Sequence, residues 1–239
     1  MILIISPAPR PCGNRGRRLR RLFCPGAGSR SGARSGADVY VPFTEIGGAV
    51  LEKIAAAKGV KITADDCEEL TGRFATMPPY PDVPGALQRL KTAGFLLFTL
   101  TDNTAPISGR QLTYGGLIDL FDGRSSVDDT AKRHKPAPEA YAEVTRALGA
   151  APSEMCMVAC HTWDAIGAQA TGWEAGLIKR INNDVLDTAA QPQYVGKDLN
   201  EVANQIIAKH APRHGWGDGH SNSSLPVGNP NSTSDRNTA

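Results

Sequence analysis

Met155-Cys-Met-Val-Ala-Cys-His-Thr-Trp-Asp164, followed by Ala165-Ile-Gly-Ala-Gln-Ala-Thr-Gly172, decides how this chain is read. It is a short apolar strand that ends in a polar loop, with a carboxylate where a helix should begin. In open α/β sheets, ligands lie at the carboxyl ends of the strands, so chemistry is expected at this loop. Lys135-Pro-Ala-Pro138 stands 29 residues earlier than Asp164, again with a polar residue at the start of a helix. Further back, Phe95-Leu-Leu-Phe-Thr-Leu-Thr-Asp-Asn103 is a third segment of the same kind. Three polar strand ends in succession predict an α/β domain with a parallel sheet and a site along one edge of it.

The elements around these segments alternate accordingly. Residues 95–100 are a continuous strand-like run, apolar except for Thr99, as in a parallel strand covered on both faces. Before it, Ala86, Leu87, Leu90 and Ala93 line one helix face and Gly94 ends the pattern. A weaker helix covers about 107–120, interrupted by Gly115-Gly116, and 121–127 is a short strand candidate. Pro138 suits a first helical turn, with Tyr141, Val144 and Leu148 as its buried stripe and Gly149 as its end. Strand 155–159, helix 164–171 and strand 175–179 follow; Tyr194-Val195 is an edge-strand candidate. Asp198-Leu-Asn-Glu201 resembles a capping box for a helix through Ile207. Upstream, Ile46, Val50, Leu51, Ile54 and Ala57 predict a helix closed by Gly59. Thr63 caps a second helix, which Pro78-Pro79-Tyr80-Pro81 stops.

Composition narrows the function classes. Of 26 basic and 24 acidic side chains, eight Arg and one Asp lie in residues 1–38, which leaves 18 basic against 23 acidic in the rest. The basicity therefore belongs to one segment, and a nucleic-acid-binding surface is not expected. No apolar run approaches the roughly 20 residues of a spanning helix, so no membrane association is expected. The cysteines Cys12, Cys24, Cys67, Cys156 and Cys160 show no metal-ligand spacing, and scattered thiols of odd number suit a cytoplasmic address. Met1–Ile5 is a short strand candidate, but the Arg/Gly/Ser/Pro/Ala bias of residues 1–39 predicts a largely disordered segment. Residues 211–239 read the same way.

Thr99-Leu-Thr-Asp-Asn103, His134-Lys-Pro-Ala-Pro-Glu-Ala-Tyr141 and Met157-Val-Ala-Cys-His-Thr-Trp-Asp164 resemble three consecutive motifs of the haloacid dehalogenase superfamily. Within it they are most similar to the type II L-2-haloacid dehalogenases, over roughly residues 40–209. The resemblance implies a Rossmann-like core at 83–210 and the remnant of a helical cap at 40–82. It also implies hydrolysis of short (S)-2-haloacids to 2-hydroxyacids through an aspartyl ester. Such a mechanism divides one hard displacement into two easier steps.

Residue by residue, Thr101 matches the hydroxyl that holds the substrate carboxylate. Asp102 falls where the family usually has an Asn that helps cradle the halide, and a charged carboxylate there would repel the departing anion. Lys135 matches the lysine that pairs with the nucleophile, and Tyr141 a tyrosine near the site. His161 and Trp163 match residues that position water or substrate. Asp164 matches the carboxylate that orients Lys135 and the hydrolytic water, and it also suits a helix N-cap. Phosphatases of the superfamily carry a second carboxylate four residues before the last one. Here that position is Cys160, a poor ligand for hard Mg2+, so no metal and no cofactor is expected.

The superfamily's nucleophile lies in an Asp-x-x-Gly-Thr-like loop after an N-terminal strand, and this chain has no such motif. Residues 1–38 read as a replacement of that region, which predicts a core without its central strand. Two readings of function follow beside a third, weaker one. The first is a 2-haloacid dehalogenase with a small-molecule 2-haloacid substrate, for which a homodimer is an open expectation. The second is an anion-binding protein that has kept the pocket without turnover. The third is a phosphatase of the same fold.

Overall fold

The computed structural model describes residues 3–7, for their backbone path, and residues 40–210. The strands are β1 (Leu3–Pro7), β2 (Phe95–Thr101), β3 (Gly123–Ser126), β4 (Cys156–Ala159), β5 (Glu174–Ile178) and β6 (Tyr194–Gly196). The helices are α1 (Phe43–Ala57), α2 (Ala64–Ala75), α3 (Val83–Thr92), α4 (Ala105–Tyr114), α5 (Pro138–Leu148), α6 (Thr162–Ala170) and α7 (Leu199–His210). The strands form one sheet in the order β3-β2-β1-β4-β5-β6.

Side-chain alternation along β2 and β4 explains their continuous apolar runs. Phe95, Leu97, Cys156 and Val158 face a layer built from Leu87 and Leu90 of α3 and Val202 and Ile206 of α7. Phe98, Leu100, Met157 and Ala159 face the opposite layer, with Tyr141 and Val144 of α5 and Trp173. A strand with helices on both faces favours apolar residues at nearly every position, and Thr99 is the one buried polar side chain of β2. Each large side chain so buried contributes about 1.5–3 kcal/mol.

The pairs β2–β3, β4–β5 and β5–β6 are parallel, as the alternation predicts. The centre of the sheet departs from the sequence expectation. β1 fills the gap between β2 and β4, so the core does not lack a central strand. Its direction is reversed: Leu3 pairs with Thr99 and Pro7 with Phe95 on one side, and Leu3 pairs with Val158 on the other, all antiparallel. A short apolar segment satisfies its neighbours' ladders in either direction. Leaving those buried backbone groups unpaired would cost about 1–3 kcal/mol each. The remaining calls on 1–39 and those on 211–239 lie outside the described residues.

Helix ends follow the sequence signals with two corrections. Thr63 and Asp66 form the reciprocal capping box of α2, the Thr63 amide and hydroxyl donating to the Asp66 carboxylate at 2.7 and 2.8 Å. Gly149 closes α5 at φ 60°, a conformation that disfavours a side chain. Asp198 does accept from Glu201 N at 2.9 Å, but the Glu201 carboxylate reaches Lys197 N rather than completing a box on Asp198. Asp164 is not an N-cap; α6 begins at Thr162, and Asp164 sits inside its first turn.

α1 and α2 form the helical hairpin ahead of the core, with Phe43 and Phe74 packed at 6.4 Å between ring centres. The segment that leaves it is pinned by Asp82. Arg180 donates to both Asp82 carboxylate oxygens at 3.0 and 2.8 Å, and Leu199 N donates to one of them at 2.7 Å. Arg180 also stacks over the Tyr80 ring, 4.0 Å from its centre.

Candidate functional site

Three segments meet beyond the carboxyl ends of β2 and β4: Thr101-Asp102 from β2, Lys135 from the loop before α5, and His161–Asp164 at the start of α6. Lys135 is the hub. Its side chain is wholly shielded from solvent, and its Nζ lies 3.3 Å from Asp102 Oδ2 and 3.3 Å from Asp164 Oδ1. It also donates to the carbonyl of Leu100 at 3.2 Å. A buried ammonium needs such partners, because desolvation of an isolated charge costs several kcal/mol.

The two carboxylates are held differently. Asp102 is bound twice by one residue, since Lys135 N donates to its Oδ1 at 3.0 Å while Nζ faces Oδ2. Its side chain is 18% exposed, whereas that of Asp164 is 1% exposed. Neither Asp164 oxygen has an aligned hydrogen bond, so its link to Lys135 is a charge contact rather than a directional one. His161 Nδ1 stands 3.6 Å from Asp164 Oδ2, and the His161 ring stacks on Trp163 at 4.5 Å. Trp163 is half exposed. The Thr101 hydroxyl oxygen accepts from Asn103 N at 3.1 Å, which leaves its proton available to a ligand.

Of the residues predicted for the site, Asp102, Lys135 and Asp164 are brought into one cluster, with Thr101 adjacent and His161 and Trp163 on its rim. Tyr141 is placed beneath it. Its ring is fully buried and its hydroxyl donates to the carbonyl of Asp164 at 3.1 Å, which fixes the first turn of α6. Burial, reinforced by the charges of Asp164 and Asp102, pushes the Tyr141 phenol far above its ordinary range. Cys160 is half-buried and packs against the apolar layer of α3 and α7. It also lines an apolar cavity of about 140 Å³ with Tyr80, Leu117 and Arg180, separate from Lys135 and Asp164.

Sequence reasoning missed His134. Its Nε2 lies 2.8 Å from the carbonyl of Val41, which only accepts, so Nε2 is the donor of this contact. Nδ1 then turns toward Asp102 Oδ1 at 3.5 Å and has no hydrogen-bond partner. Tyr40 stacks on this ring at 4.9 Å and donates to Asp128 at 2.9 Å. His134 directly precedes Lys135 in sequence, but Val41 is 93 positions away, and no local pattern announces that pairing.

A family model for haloacid dehalogenase-like hydrolases matches residues 31–172. The chain is 29% identical over 168 residues to (S)-2-haloacid dehalogenase 1 of Pseudomonas sp. (strain CBS-3), covering 70% of this chain and 74% of that protein. It is 27% identical over 188 residues to the (S)-2-haloacid dehalogenase of Pseudomonas sp. (strain YL), covering 79% and 81%. Among solved structures, the L-2-haloacid dehalogenase of Xanthobacter autotrophicus with chloropropionic acid covalently bound superposes with a TM-score of 0.65 at 21% identity, covering 70% of this chain and 76% of that one. That likeness speaks for the fold, while the family model spans more than half of the sequence. The chain belongs to the haloacid dehalogenase-like hydrolases.

Proposed function

We propose that the site hydrolyses short (S)-2-haloacids to 2-hydroxyacids through an ester on an enzyme carboxylate. The observation that carries this reading is the shielded Lys135 ammonium held at 3.3 Å from two carboxylates at the end of the sheet. A fixed cation there offsets the repulsion between an attacking carboxylate and an anionic substrate, and it does so without reorganising during the reaction. The names of the relatives with 27–29% identity support the substrate class.

In this reading the Thr101 hydroxyl and the first turn of α4 receive the substrate carboxylate. Lys135 steadies the nucleophile, and Asp164 with His161 orients the water that opens the ester. Trp163 borders the leaving group. The hairpin α1–α2 acts as the cap. A cytoplasmic address, supported by the unpaired thiols of Cys67, Cys156 and Cys160, belongs to the same reading. Among the described residues, no helix is long and apolar enough to cross a membrane. The test is chloride release from (S)- and (R)-2-chloropropionate by the purified chain, with release from the S form expected.

A second reading, binding of small carboxylates without turnover, has one observation in its favour. The strand at the centre of the sheet, Leu3-Ile-Ile-Ser-Pro7, carries no carboxylate. Saturable calorimetric binding of 2-chloropropionate with no chloride released would establish it over the first.

A further inference from the structure

Ester formation needs a carboxylate oxygen that substrate can reach, held so that its partner oxygen becomes a polarised carbonyl. β1 supplies none, because Leu3–Pro7 contains no acidic residue. Of the two carboxylates on Lys135, Asp164 is closed off and Asp102 is open to solvent along one side. The donors on Asp102 are divided in a useful way. Oδ1 takes a rigid backbone N–H from Lys135 at 3.0 Å, while Oδ2 faces the Lys135 ammonium at 3.3 Å.

We infer that Asp102 is the nucleophile of this chain. This inference rests on the dehalogenation reading above. Asp102 Oδ2 forms a bond to C2 of the 2-haloacid as the carbon–halogen bond breaks on the opposite side, and the halide leaves with the bonding pair. Oδ1 is then the ester carbonyl oxygen, already hydrogen-bonded by Lys135 N–H. Water adds to the carbonyl carbon, negative charge collects on Oδ1, and the same N–H stabilises it. Collapse breaks the bond between that carbon and the substrate oxygen. One proton of the water ends on the product hydroxyl and the other passes to solvent. The carboxylate returns with one oxygen from water.

The experiment is a single turnover of the full chain, in excess over (S)-2-chloropropionate, in water enriched in oxygen-18. Chloride is measured, and trypsin digestion in ordinary water is followed by mass spectrometry. Cleavage after Lys91 and Arg110 yields residues 92–110, in which Asp102 is the only acidic side chain. Chloride release with one heavy oxygen in that peptide and ordinary oxygen in the product supports the assignment. Chloride release with the label in another peptide, or in the product alone, overturns Asp102 while dehalogenation stands. No chloride release overturns both. Asp102→Asn should lower chloride release at least about a thousandfold, and release within about tenfold of the parent chain would also overturn the assignment. Should that variant fail to fold, the labelling of the parent chain decides alone.

Discussion

Lys135 Nζ and Asp164 Oδ1 lie 3.3 Å apart with both side chains closed to solvent, so each is the other's compensation for lost hydration. Replacing Lys135 by Ala strands Asp164 as a buried charge. Lys135→Ala should lower unfolding stability by about 3–5 kcal/mol in denaturant titration and should abolish chloride release. Asp164→Asn, which leaves Lys135 with Asp102, should cost less, about 1–3 kcal/mol. Equal losses in the two variants would contradict the pairing described here.

Asp82 links the segment after the helical hairpin to Arg180 and to the start of α7. Burial favours its neutral form, but the Arg180 guanidinium and the Leu199 N–H outweigh it and hold the carboxyl below its ordinary value of 3.8. A depressed acid contributes its full stability above that value and loses the contribution as pH falls from there through the lowered value. Stability should therefore drop below about pH 4, and Asp82→Asn should flatten that part of the profile. The same substitution should cost about 1.5–3 kcal/mol at neutral pH. Chemical denaturation across the acid range is the measurement.

Gly167 of α6 faces Tyr141 and Pro136 so closely that a Cβ would collide with the Tyr141 hydroxyl and come within 2.8 Å of Pro136 Cβ. Gly167→Ala should destabilise by about 1–3 kcal/mol through overpacking. The displaced ring would release the carbonyl of Asp164. Tyr141→Phe removes only the hydrogen bond and should cost about 1 kcal/mol. A smaller loss for Gly167→Ala than for Tyr141→Phe would show that the helix yields more readily than the packing implies.

The Cys156 thiol is pushed far above its ordinary range by burial and by the nearby Glu174 charge. Thiolate is the reactive form, so Cys156 should resist iodoacetamide at about pH 8 in the native protein and react after unfolding. Peptide mapping before and after denaturation distinguishes Cys156 from the other cysteines.

The parallel elements were legible because β2 and β4 place apolar residues at nearly every buried position, Thr99 being the exception in β2, in short runs that suit a doubly covered strand. The cluster was legible as far as its members stand at strand ends beside Pro or a helix start, as Lys135 and Asp164 do. The direction of β1 was not, since Leu3-Ile-Ile has no feature that distinguishes parallel from antiparallel pairing. Nor was the placement of Tyr141, whose helical spacing suits a core residue and a site residue equally. His134 escaped because its significance depends on Val41, which comes from a different layer of the fold.

That contact between His134 and Val41 has a mechanical result. Val41 lies just ahead of α1, and His134 shares a peptide bond with Lys135, whose N–H grips Asp102. The imidazole therefore ties the segment that enters the hairpin to the very amide that holds the carboxylate.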